Sequence, residues 1–155
     1  MNTEMYEKGL QALEARDYKA AARDFAMVLR ELDEHDEHYS NVASYVGLAQ
    51  VLISNRNGLL LCRDAASSET NDGMVFLNLA CAEWYCNNRK RALDAINCGC
   101  EIDSSNERLQ RASALLDSRK RSLFQYLPRK HSLNRAFGRF FRRSSDDVDV
   151  HSLLY

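Results

Sequence analysis

The sequence predicts an all-α fold: a solenoid of three helix pairs closed by C-terminal capping helices. The first observation behind this is a recurring small residue. Gly9, Gly47 and Ala80 fall inside three candidate first helices, and Ala21, Leu59 and Ala92 open three candidate second helices. Both sets are spaced by 38 and then 33 residues, so the two helices of each unit shift together. Small residues let paired helices approach closely, while larger apolar side chains fill the groove around them. The second observation is composition. Six Gly, one Pro and long stretches rich in Ala, Leu, Glu, Arg and Lys favour helix over strand. The third is length, since 155 residues suffice for one domain with a sizeable core.

The first helix is expected from about Thr3 to Ala15, with Thr3 as N-cap and Glu4 and Glu7 well placed for the helix dipole. Arg16-Asp17-Tyr18 makes a short turn. The second helix places Ala21, Ala22, Phe25, Val28, Leu29 and Leu32 on one stripe. The polar loop Asp33-Glu34-His35-Asp36-Glu37-His38 holds most of the residues by which the first spacing exceeds a period of about 34. A third helix from about Ser40 to Ser54 ends in the turn cluster Asn55-Arg56-Asn57-Gly58, and a fourth covers about Leu59 to Ser67. After a loop at 68–73, a fifth helix spans about Met74 to Cys86 and stops at Asn87-Asn88. A sixth spans about Lys90 to Glu101. A seventh, about Glu107 to Tyr126, carries Leu109, Ala112, Leu115, Leu116 and Leu123 on one side. It serves as a cap, because a terminal unit otherwise exposes its apolar face. Pro128 ends it, and an eighth, short helix fits Ser132 to Arg143. Residues 144–155 read as disordered, although Val148, Val150, Leu153, Leu154 and Tyr155 leave apolar content there. The organisation expected is three helix pairs at 2–105, a capping helix at 106–127, a basic amphipathic segment at 128–143 and a tail.

The units can be compared residue by residue. The third reads Phe76-x2-Leu79-Ala80, Ala92-x3-Ile96-x2-Gly99 and Asp103-Ser104; the first reads Met5-x2-Lys8-Gly9, Asp17-Tyr18 and Ala21-x3-Phe25-x2-Val28. The middle unit carries Val46-Gly47, Leu59 and Ala66. This pattern resembles the tetratricopeptide (TPR) repeat over about residues 2–105. It departs at Glu83, where an aromatic is usual, at Ser104, where Pro is usual, and at Arg63, where a large apolar residue is usual. The runs Gly58–Arg63, Phe76–Ala80 and Phe124–Arg139 are similar to small bacterial TPR proteins of unassigned function. The resemblance implies a right-handed superhelix of a bacterial cytosolic protein and implies no activity.

In TPR arrays the first helices line the concave face. By that analogy the partner-contacting positions are Tyr6, Leu10 and Leu13 in the first unit, and Ser44, Leu48, Val51 and Leu52 in the second. In the third they are Leu77, Cys81, Trp84 and Tyr85. The surface is apolar and aromatic. Tyr6 and Leu10 occupy the first two places of the Lys/Asn/Arg clamp that some TPR domains use for a C-terminal carboxylate, which argues against that kind of receptor. The functional expectation is a groove for an apolar peptide or helix. The competing expectation is that the chain's own C-terminal segment fills it.

The net charge of −1 hides an asymmetry. Residues 1–118 hold 12 Lys/Arg and 19 Asp/Glu, residues 119–143 hold nine Lys/Arg and no acid, and three Asp follow. Leu133, Ala136, Phe137, Phe140 and Phe141 share one helical face, with Arg135, Arg139, Arg142 and Arg143 on or beside the other. Arg129 and Lys130 precede them. Such a segment suits a cap lying against the acidic body, or an anionic membrane surface. Nucleic acid is disfavoured, since the acidic body repels phosphate.

Cys81, Cys86, Cys98 and Cys100 cluster in the third unit without a Cys-x-x-Cys pair, so packed reduced thiols are expected rather than zinc. His35 and His38 sit in a solvated acidic loop. There is no phosphate loop, nucleophile elbow or His-Glu-x-x-His, so no catalytic residue, cofactor or metal is assigned. No apolar run approaches the ~20 residues that span a bilayer, and the start Met1-Asn2-Thr3-Glu4 lacks a secretory signal, which gives a cytoplasmic expectation. Function is read as a non-enzymatic adaptor or assembly factor. Two alternatives are a chaperone like the class II type III secretion chaperones, which also use three TPRs but carry a helical N-terminal extension, and a peripheral membrane protein acting through 129–143.

Overall fold

The structure, a computed structural model, describes residues 1–68, 70–116 and 148–155. These residues form eight helices and no strand, so the chain is all-α over the described residues. The helices are α1 (Thr3–Glu14), α2 (Tyr18–Arg30), α3 (Tyr39–Leu52), α4 (Asn57–Ser67), α5 (Gly73–Tyr85), α6 (Arg89–Ile102), α7 (Glu107–Leu116) and α8 (Val150–Leu154). No described helix is long and apolar enough to cross a membrane.

Three of the turns are built alike. Among the described residues, Arg16, Ser54 and Asn87 are the non-glycine residues with positive φ, at 62°, 68° and 64°. They follow α1, α3 and α5, and they are spaced by 38 and 33 residues, the intervals seen in the small-residue marks. Around each, the backbone closes the same pair of hydrogen bonds. Asp17 N donates to Ala12 O at 2.8 Å, Asn55 N to Gln50 O at 2.9 Å and Asn88 N to Glu83 O at 2.8 Å. The preceding amides of Arg16, Ser54 and Asn87 donate to Leu13, Val51 and Trp84 carbonyls. This is the Schellman arrangement, which satisfies the last carbonyls of a helix and reverses the chain.

Each turn joins a packed pair: α1 with α2, α3 with α4, α5 with α6. The pairs dock in sequence, α2 against α3, then α3 and α4 against α5, then α5 and α6 against α7. Helices α3 and α5 therefore have neighbours on most sides. Their sequences answer with apolar or small residues all round rather than on one stripe. In contrast, α2 buries a single stripe of Ala21, Asp24, Phe25 and Val28. The tightest crossing joins α3 to α4. A Cβ on Gly47 would stand 2.6 Å from the Gly58 carbonyl oxygen, and one on Gly58 would meet the Gly47 carbonyl. Gly58, not Leu59, is thus the close-approach residue of the middle pair; Leu59 is only half-buried. At Gly9 the close neighbour is the Phe25 ring, which stacks on Tyr45 with centroids 4.9 Å apart.

The five extra residues of the first spacing divide between two places. Helix α2 has 13 residues against 11 in α4, and the following connection has eight residues against five.

Two expectations need correction. Asn2, not Thr3, caps α1, accepting from Met5 N at 3.2 Å. The end of the tail is not disordered. Val150, Leu153 and Leu154 are buried on α8, which packs against α5 and α7. Asp149 supplies its N-cap. The expected continuation of the seventh helix beyond Leu116, the eighth helix and the basic segment all lie outside the described residues.

Candidate partner-binding groove

The face expected to bind a partner is formed by α1, α3 and α5 and tied together by polar groups. Tyr6 OH donates to Asn41 Oδ1 at 2.9 Å, and Asn41 Nδ2 donates to Asp72, the residue that also caps α5. Ser44 Oγ donates to Asn41 O at 2.7 Å and accepts from Asn78 Nδ2 at 2.9 Å. Ser44 and Asn78 are fully buried, and Asn78 Oδ1 has no partner among the described residues. Tyr6 meets Phe25 and Tyr45 edge-on, with centroids 5.7 and 5.9 Å away. Burial pushes both the Tyr6 and Tyr45 phenols up from their ordinary value.

The predicted contact residues divide into three groups. Leu13, Leu48, Val51, Leu52, Leu77 and Cys81 are buried in the core, as is Ser44. Tyr6, Leu10 and Trp84 are half-buried and packed against it, while Tyr85 is exposed. The expected open wall is therefore largely covered. Part of the cover is the chain's own tail, whose Val150, Leu153 and Leu154 join the same core cluster as Leu13, Leu48, Leu77 and Cys81.

Tail docking uses five further contacts. Trp84 Nε1 donates to Val148 O at 3.0 Å. Arg16 pairs with Asp149 at 2.9 Å, both side chains being more than half exposed. The His151 ring nitrogen lies 3.1 Å from Glu14 O. Arg111 Nη1 donates to Tyr155 O at 3.2 Å, and the Arg108 guanidinium sits 5.5 Å over the Tyr155 ring. Beside Tyr155 a cavity of about 510 Å³ opens, with Tyr45, Met74, Asn106, Arg108 and Arg111 in its wall.

Arg16, Arg108, Arg111 and the tail residues were not read as site residues from the sequence. One signal for the tail was present. Asp149 before Val150, with Leu153 and Leu154 at i+3 and i+4, is a capped one-turn apolar stripe. Nothing local marks Arg16 or Arg108.

A second apolar hollow of about 490 Å³ lies between α4, α5 and α6, with Phe76, Leu79 and Ala95 in its wall. Beside it, Glu83 is buried and accepts from Arg63 Nε and Asn88 Nδ2, each at 2.7 Å. That bond to Glu83 raises the Arg63 guanidinium pKa. Two of the three departures from the repeat pattern, Arg63 and Glu83, thus satisfy each other.

All five cysteines are free thiols. Burial pushes Cys62 up to about 12 and Cys81 higher still. Cys98, expected to be packed, is exposed, and Cys86 and Cys100 are intermediate. His38 lies 3.5 Å from Glu37 in the exposed loop. The basic amphipathic residues Arg129, Lys130, Arg135, Phe137, Arg139, Phe140, Phe141, Arg142 and Arg143 lie outside the described residues. No protein-family model, curated protein or solved structure matches this chain.

Proposed function

We propose that this chain is a non-enzymatic, cytoplasmic adaptor or assembly factor with a TPR-like superhelical architecture, and that its α1–α3–α5 groove binds an apolar helix of a partner protein. The architectural part is supported by the three matching turns at Arg16, Ser54 and Asn87 and by the small residues at the helix crossings. The binding part rests on one observation: a five-residue helix of the chain's own tail packs against α5 and α7, and its Val150, Leu153 and Leu154 join the core cluster that holds Leu13, Leu48 and Leu77. In this reading the tail is a resident ligand that a partner helix displaces.

The energetics suit exchange. Burying a Val and two Leu is worth roughly 2 kcal/mol each, before the cost of ordering the segment. Belonging to the same chain, the tail competes at an effective concentration on the order of millimolar. A partner helix with one or two additional contacts therefore competes.

Trp84 is the single tryptophan and bonds the tail directly, so its emission reports docking. In the full chain, Leu153→Asp/Leu154→Asp is expected to red-shift Trp84 emission with helix content retained. A synthetic peptide of residues 147–155 is then expected to reverse the shift, with Kd on the order of 100 µM. A variant that stays folded but shows no peptide response up to millimolar concentration removes the groove reading.

A further inference from the structure

The tail enters its seat through one carboxylate that serves two partners. Asp149 holds an extended backbone, with φ −70° and ψ 140°, and α8 begins at the next residue. Its Oδ1 accepts from the His151 amide and caps the helix, while its Oδ2 pairs with Arg16 Nη2 at 2.9 Å. Among residues that cap helices well, only Asp offers an anionic oxygen to each. Asn has a single oxygen and turns an amide NH₂ toward the guanidinium, and Ser and Thr carry no charge. Glu carries the charge but is not among the favoured N-cap residues.

The place where Asp149 arrives makes Arg16 matter. It comes to the carboxyl end of α1, where the His151 ring also meets the Glu14 carbonyl. Helix carbonyls there carry partial negative charge, and the last turn of α1 holds no basic residue. Arg16, just beyond it, supplies the cation that an incoming acid needs. The turn itself does not call for arginine, since φ of 62° favours Gly or Asn. Trp84 Nε1 donates to the Val148 carbonyl one residue before the acid, which holds backbone common to any sequence and selects nothing.

We infer that Arg16 is the specificity-determining residue of the groove. The partner segment it admits arrives extended and starts its helix at an aspartate, with apolar residues one, four and five positions after it, as in Val150, Leu153 and Leu154. This inference rests on the groove reading and adds which helices the groove takes. Charge complementarity at the helix start selects among segments that share the same apolar stripe.

Three peptides of residues 147–155 decide it: the native sequence, Asp149→Asn and Asp147→Asn. Each is titrated by fluorescence anisotropy, up to millimolar concentration, against the full chain bearing Leu153→Asp/Leu154→Asp. Asp149→Asn keeps a capping oxygen and is expected to weaken binding about threefold, with the difference shrinking as salt rises. Asp147→Asn, which makes the same change in charge, is expected to leave affinity unchanged. On the same chain carrying Arg16→Gln, the native and Asp149→Asn peptides are expected to bind equally, and Arg16→Lys is expected to keep most of the preference. Arg16→Gly is expected to abolish the preference while raising the chain's urea midpoint, a combination that a role in the turn alone does not give. Should the tail variant fail to fold, the comparison runs as competition on the unmodified chain, where the tail weakens every peptide by the same factor. Equal affinities of the native and Asp149→Asn peptides, a preference that survives Arg16→Gln, or an equal loss from Asp147→Asn overturns the inference and leaves the groove reading standing. Absence of binding by all three peptides overturns both.

Discussion

Arg63 and Glu83 show how two residues that break a pattern can be one feature. Glu83 is nearly inaccessible, so losing Arg63 strands a carboxylate that Asn88 alone then holds. Arg63→Met is expected to cost roughly 3 kcal/mol, read as a lower urea midpoint at unchanged slope. Arg63→Met combined with Glu83→Leu is expected to recover most of that loss, because an apolar pair needs no partner in a hollow lined by Phe76 and Leu79. The pair is not legible in the sequence, because the two residues lie 20 positions apart on different helices of different repeat units. Thiols give a second residue-level prediction. Burial raises Cys62 and Cys81, so the unfolded chain releases protons near pH 9 that the folded chain retains. This contribution to stability is fully present below pH 9 and is lost as pH rises from there toward the folded values, so urea midpoints should fall above pH 9. Under native conditions an alkylating reagent is expected to modify the exposed Cys98 first and to reach Cys62 and Cys81 only on unfolding.

At the scale of elements, the helices were readable because small residues, turn residues and apolar runs agreed on them. Observed ends of α1 to α6 fall within two residues of the expectation, apart from the unassigned exact limits of α2. The failures have physical causes. Counting 38 residues from Ala21 points to Leu59 as the small-residue position of α4, but backbone contact is made one residue earlier, at Gly58. Counting cannot detect a rotation of one residue. Substitution tests the crossing directly. Gly47→Ala and Gly58→Ala each gain up to about 1 kcal/mol in helix propensity and are nonetheless expected to destabilise by about 2 kcal/mol, since the obstructing atoms include the facing backbone carbonyl. Alanine at Ala80 or Ala92 is already tolerated at the corresponding crossing of the third pair. Helix α8 was missed for a different reason. One turn does not form a helix alone, because nucleation is unfavourable. Its helicity depends on the surface it docks against, and that surface is assembled from residues far earlier in the chain, on α5 and α7.

For the whole molecule, these contacts imply a graded stability. The interior is α3 and α5, enclosed by their neighbours, whereas α8 is held by three apolar side chains and a few exposed polar contacts. Amide hydrogen exchange is expected to be slowest in α3 and α5 and faster by orders of magnitude in α8, at a rate insensitive to mild denaturant. Uniform protection across α5 and α8 would mean that the tail opens only when the molecule unfolds, and displacement by a partner would then lose its low-cost route.

The recurrence of one turn geometry at unequal sequence intervals has a consequence for how this chain tolerates insertions. Register within each hairpin is fixed at the carboxyl end of its leading helix, where Arg16, Ser54 and Asn87 reverse the path. Variation in length has been absorbed elsewhere, in α2 and in the link that follows it. Adding a few polar residues between Asp33 and Glu37 should therefore be nearly silent, with each doubling of such a link costing only about 0.6 kcal/mol. A single residue added between Leu13 and Asp17 would turn the trailing helix by about 100° and carry Phe25 off its seat against Gly9.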